Sequence, residues 1–177
     1  MKLINTNKFM FYISLSLIVI FSSAACYASL FSYSGATVDM ENRIALLEGK
    51  SHKGSWDTRD LSVNYNYKMD ANILQFSGQV EFDNYLQYNF TSLDHFFLWI
   101  YFLDEEGKII GDKATAVAGY RSRIENISFD HNLQMPLNAN GIAFGYEGTA
   151  REGGGFRRVR VIDRDGISWD FSKVPHR

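Results

Sequence analysis

LSVNYNYKMDANILQFSGQVEF, residues 61–82, is the stretch that decides the fold. Leu61, Val63, Tyr65 and Tyr67 alternate with Ser62, Asn64, Asn66 and Lys68. That period of two is the mark of a strand with one face buried. Asp70-Ala71-Asn72 is turn chemistry, after which Leu74, Phe76, Gly78, Val80 and Phe82 hold one face of a second strand. Two such runs joined by a short polar turn read as an antiparallel hairpin.

Working outward, FFLWIYFL (96–103) is apolar at every position. A strand this greasy on both sides is expected at the centre of a sheet, covered on both faces. Asp104-Glu105-Glu106-Gly107 closes a tight turn and Lys108-Ile109-Ile110 starts the return strand, while the Ala/Thr-rich stretch 112–120 carries no clear pattern. Ile127 and Phe129 mark another strand, ended by Met135-Pro136, and Ile142, Phe144 and Tyr146 mark the next. Phe156 to Ile162 and Ile167 to Phe171, joined by Asp163-Arg164-Asp165-Gly166, read as a second hairpin. Upstream, 38–50 admits a short helix, from the spacing of Met40, Ile44 and Leu47, or an edge strand over Ile44 to Leu47, the preferred reading; 49–60 is expected as a polar loop around Trp56, and 84–91 reads as a strand or extended loop. Short strands at regular spacing, with no long helical pattern among them, argue for one antiparallel β-sandwich over 38–177.

Gly78-Gln79-Val80-Glu81-Phe82, followed by LWIYFLDEEGKII (98–110), resembles the FxLYD-type immunoglobulin-like modules of bacterial exported proteins. The resemblance covers about a quarter of the domain and implies an immunoglobulin-like sandwich. Fold alone fixes no function.

The first 25 residues have a different character. Lys2 and Lys8 precede an apolar run from Phe9 to Phe21, and small residues follow at Ser22 to Ala25. This order is that of a secretory signal peptide, and the run is short for a membrane span, which needs about 20 apolar residues. Ser23-Ala24-Ala25-Cys26 resembles the lipobox of bacterial lipoproteins, with Ser23 where a large aliphatic residue usually stands. The resemblance implies lipidation of Cys26, the only cysteine in the chain. Cleavage after Ala25 or Ala28 without lipid, or an uncleaved anchor, are the alternatives. Residues 26–37 are expected to form a tether. With one cysteine there is no internal disulfide, so packing alone must hold the domain.

Removing Lys2 and Lys8 from 18 basic residues leaves 16 against 20 acidic ones, a net charge of −4. Such a balance gives no electrostatic case for nucleic acid. No Gly-x-Ser-x-Gly elbow is present, and histidines 52, 95, 131 and 176 are scattered. Neither a catalytic residue set, a metal site nor a cofactor is therefore expected. Asp94-His95 and Asp130-His131 each pair a carboxylate with an imidazole, but strand neighbours point to opposite faces. Arg151, Arg157, Arg158 and Arg160 crowd around Gly153-Gly154-Gly155 and are the candidate contact for an anion or partner, set against a charge-protected edge strand. Tyr65, Tyr67, Tyr85, Tyr88, Trp99, Tyr101 and Tyr146 are candidates for stacking sugars, set against ordinary core packing. The expectation is an exported, lipid-anchored, non-catalytic binding or assembly module of the cell envelope. Its partner would be the membrane through the anchor, and an envelope protein, lipid head group or glycan. A glycan- or amphiphile-binding sandwich is the alternative, and an envelope hydrolase the third.

Overall fold

The structure, a computed structural model, describes residues 33–152 and 168–175. Every element described belongs to the unit Ser34–Arg177. The expected signal peptide, Cys26, the strand over 156–162 and its Arg157, Arg158 and Arg160 lie outside the described residues.

The domain is an all-β sandwich of two antiparallel sheets. In chain order its strands are β1 (Ile44–Ala45), β2 (His52–Asp57), β3 (Leu61–Asp70), β4 (Ile73–Phe82), β5 (Ser92–Leu103), β6 (Ile109–Ala118), β7 (Ile127–Gln134), β8 (Gly141–Arg151) and β9 (Ser168–Lys173). One sheet runs β2-β3-β4-β7. The other runs β1-β8-β5-β6, with β9 beside β1 on the free side of β8. The β3–β4 hairpin pairs Leu61 with Phe82 and Asp70 with Ile73, as the alternation predicts. Its turn needs Ala71 at φ 52, a conformation that costs an alanine strain.

Three elements differ from the sequence reading. Residues 52–57 form a strand, not a loop. His52, Gly54 and Trp56 point inward, but only Trp56 is a large apolar residue, so the pattern is hidden. Gly54 is small because the Tyr65 ring from β3 occupies the space a side chain would need. Residues 84–89 form a helix, α1 (Asn84–Asn89), where a strand or extended loop was expected. Asp83 caps it by accepting from the Tyr85 N–H at 2.8 Å, and Leu86 buries its one large apolar side chain. The third difference concerns β5. It lies between β8 and β6, yet its outer face is only partly covered, and Phe97 and Trp99 are half-buried.

Between the sheets, Phe96, Leu98, Ile100 and Phe102 from β5 meet Val63, Phe76, Val80 and Phe82 from β3 and β4. Phe82 and Phe96 cross edge-on at 5.1 Å, and Phe76 lies 5.9 Å from Phe144. Offset and tilted aromatic contacts of this kind add to plain apolar burial. One side of the sandwich is closed by His131 of β7, whose ring nitrogen donates to the Thr115 carbonyl of β6 at 2.6 Å.

The outer face of the five-stranded sheet has a small core of its own. Val38, Tyr101, Leu103, Ile109 and Ala143 are buried but stand apart from the inter-sheet core. The stretch from Gly35 to Val38, the last part of the expected tether, lies along the β5–β6 hairpin. Gly35 N donates to Ile109 O at 2.8 Å, Ile109 N to Ala36 O at 2.9 Å, and Val38 N to Gly107 O at 2.9 Å. Gly107 sits at φ 82, and the Arg43 guanidinium fills the space where a side chain would go. At the other strand, Tyr101 and Pro175 crowd the position of Gly145. The chain therefore seals one end of this face and leaves the other open.

Candidate functional site

The open end is built by strand parity. His95, Phe97, Trp99 and Tyr101 alternate with the inward Phe96, Leu98, Ile100 and Phe102, so they share the outer face. Tyr101 is sealed; Phe97 and Trp99 are half-buried and His95 is exposed. Their rings form a row, with His95 to Phe97 at 6.1 Å and Phe97 to Trp99 at 6.1 Å and 24°. The register places Gly145 and Ala114 on either side of Trp99, so its strand neighbours add no bulky side chain of their own, although Tyr101 and Pro175 close over Gly145. Val117, 56% exposed, stands beside Phe97 and widens the apolar strip.

Polar groups rim this strip. On the β8–β9 flank stand Glu147, Thr149, Asp170 and Ser172, with Thr149 donating to Asp170 at 2.6 Å. On the β6 flank the register puts Asp112 beside Tyr101. Glu147, Asp170 and Asp112 are all exposed. Among the described residues the rim is acidic, and its middle is apolar and ring-lined.

Arg151 ends the β8 flank and forms an ion pair with Asp94. Of the four arginines singled out in the sequence it is the one described, and its charge is already matched by a neighbour. The Asp94 carboxylate thus serves Arg151, and His131 of the second Asp-His pair serves the Thr115 carbonyl. Among the described residues no group of three or more His, Cys, Asp or Glu side chains could hold a metal ion.

A second cluster lies at the edge where β9 faces β2. Asp60, 4% exposed, sits in the β2–β3 turn. Its carboxylate accepts from the Tyr146 hydroxyl at 2.7 Å, from Tyr85 at 3.1 Å and from Arg59 at 3.2 Å. Thr58 reaches the same Tyr146 hydroxyl at 3.2 Å. Burial first, and then the bond to Asp60, pushes the Tyr146 pKa well above the usual tyrosine value. Tyr85 shifts the same way, led by burial. The Arg59 guanidinium lies 5.8 Å over the Trp169 ring, and Lys173 lies 5.7 Å over Trp56. The carboxylate sits in a turn of the four-stranded sheet and reaches Tyr146 of β8 in the other sheet and Tyr85 of α1, so the cluster ties the sandwich together at this edge. Charge-assisted bonds of this kind are among the stronger ones in a protein.

The outer face of the four-stranded sheet is different again. Asn64, Asn66, Ser77 and Gln79 line a depression of about 370 Å³, with no exposed aromatic among its lining residues. A depression of about 410 Å³ beside α1 is lined by polar groups including Asp57, Glu81, Asp83 and Asn126.

Of the aromatic residues singled out in the sequence, Tyr67, Tyr101 and Tyr146 are buried, and Tyr65 and Tyr85 pack against the core. Tyr88 is exposed alone on α1. Only Trp99 joins a row of rings on an open face. Phe97, His95 and Val117 were missed, because an unbroken apolar run hides which residues share a face. Parity counted from His95 would have found them.

Comparison with known proteins finds no family model, no curated protein and no solved structure that matches this chain.

Proposed function

We propose that this protein is an exported, non-catalytic binding module of the bacterial cell envelope, anchored through a lipidated Cys26, and that it contacts its partner through the open end of the five-stranded sheet. The supporting observation is the unequal treatment of one face. The chain's own segment and Pro175 seal Tyr101, Leu103 and Ile109, while Phe97, Trp99 and Val117 are left in contact with water. Apolar patches bounded by polar residues mark interaction sites more often than scattered single residues do. The FxLYD-type resemblance belongs to this reading, although its two segments fall in different sheets, on β4 and on β5–β6.

The test is binding of the purified protein to isolated envelope fractions. Trp99→Ala is expected to weaken it at least tenfold while the thermal melt persists. Equal binding by both proteins would remove this face from consideration. Mass spectrometry of the mature N-terminus tests the anchor: a diacylated Cys26 supports it, and an N-terminus at Ser29 removes it.

A further inference from the structure

Resting on the binding-face reading, we infer that the ligand of the Phe97–Trp99 strip is an uncharged glycan chain. Three features of the face select it. The first is geometry: rings of His95, Phe97 and Trp99 follow one another at 6.1 Å along β5, so the surface is a line and not a hole. A linear ligand with repeated flat apolar faces matches a line of rings, and the C–H faces of pyranose sugars supply them.

The second is the bed beneath Trp99. Gly145 and Ala114 flank it, and it is Tyr101, the Lys173 carbonyl and Pro175, not Trp99, that crowd the position of Gly145. Trp99 is thus not needed to cover the glycine, and its ring is left half-exposed. Aromatic side chains with an apolar body in partial contact with water are favoured at binding surfaces.

The third is charge. Glu147 and Asp170 stand on the β8–β9 flank of the strip, with Thr149 and Ser172 among them, and Asp112 stands at its sealed end beside Tyr101. Carboxylates accept strong hydrogen bonds from hydroxyl groups. Among the described residues, the same carboxylates repel an anionic polymer or an anionic lipid surface, and Arg151 offers no free compensation because Asp94 holds it. They also disfavour a second copy of this chain. A two-fold interface uses the same patch on both partners, so apposing the β8–β9 flanks would set carboxylates against carboxylates. The ligand that satisfies ring faces and an acidic rim together is a neutral polyhydroxylated chain.

The experiment titrates the purified protein with neutral hexasaccharides of glucose and of N-acetylglucosamine, and with polygalacturonate, followed by tryptophan fluorescence and calorimetry. At least one neutral hexasaccharide is expected to bind, with Trp99→Ala and Phe97→Ala each weakening it tenfold or more and the thermal melts retained. Glu147→Gln is expected to weaken it by a smaller factor, and polygalacturonate to show no binding. Failure of both neutral sugars to bind, equal binding by Trp99→Ala, or comparable binding of polygalacturonate would overturn the inference. So would a concentration-dependent dimer that Val117→Asp dissolves, since the face would then join two copies. If Trp99→Ala loses envelope binding while neither sugar binds, the binding face survives and the glycan assignment falls.

Discussion

Tyr146 holds its proton because two influences both oppose a charged phenolate. Its ring is buried, and its hydroxyl donates 2.7 Å to a buried carboxylate. Its pKa therefore rises above the ordinary 10.0, and those of Tyr85 and Tyr65 rise too, with burial the leading cause in each. A folded-state pKa above the unfolded value means the native protein binds the proton more tightly. The associated stability is complete below a pH of about 10 and is lost as pH climbs through the raised values. The urea midpoint is accordingly expected to hold steady from about pH 7 to 9 and to fall above about 10, less steeply in Tyr146→Phe. At neutral pH the same substitution removes one hydrogen bond to a charged acceptor, worth about 1.5–3 kcal/mol in an unfolding titration. An unchanged midpoint would show that Asp60 finds another donor.

At the scale of elements, how much could be read depended on whether the residues that shape a strand are also its apolar ones. The β3–β4 hairpin was legible because both arms alternate cleanly and pair without a slip from Leu61–Phe82 to Asp70–Ile73. β2 was not, since its inward positions are His52, Gly54 and Trp56 and their logic lies in the partner strand's Tyr65. α1 was hidden because Tyr85, Leu86, Tyr88 and Phe90 suit a strand as well as a helix, and only the Asp83 cap decides. Asp83→Ala should cost about 0.5–2 kcal/mol by denaturant titration, the usual worth of an N-cap. Gly78 offers a sharper test. A β-carbon there would collide with the Asn64 carbonyl and stand 2.7 Å from the Phe129 ring. Gly78→Ala should therefore force β3 and β4 apart, lowering stability by about 1–3 kcal/mol as over-packed cores do. An unaffected melt would mean the sheet has slack that its register does not suggest.

For the whole molecule, the sandwich was legible and its working surface was not. FFLWIYFL was expected to be covered on both faces; the structure covers its inner face fully and its outer face at one end. The difference predicts unequal mutational costs on neighbouring residues. Leu98→Ala, in the inter-sheet core, should cost about 2–5 kcal/mol, while Trp99→Ala should cost less because its ring keeps part of its contact with water. Equal costs in a paired melt would show the outer face to be sealed. The seal over Tyr101, Leu103 and Ile109 also has a mechanical meaning. Tension arriving through residue 33 loads the hydrogen bonds of Gly35, Ala36 and Val38 with Gly107 and Ile109. Those bonds, the Arg43 bond to the Val38 carbonyl, the β1–β8 pairing and one small apolar cluster stand between that pull and the inter-sheet core. Those contacts can open locally while the sheets remain closed, as sub-global openings do. A domain held from its N-terminus would then give under load by peeling its strap, widening the exposed apolar face before it loses its fold.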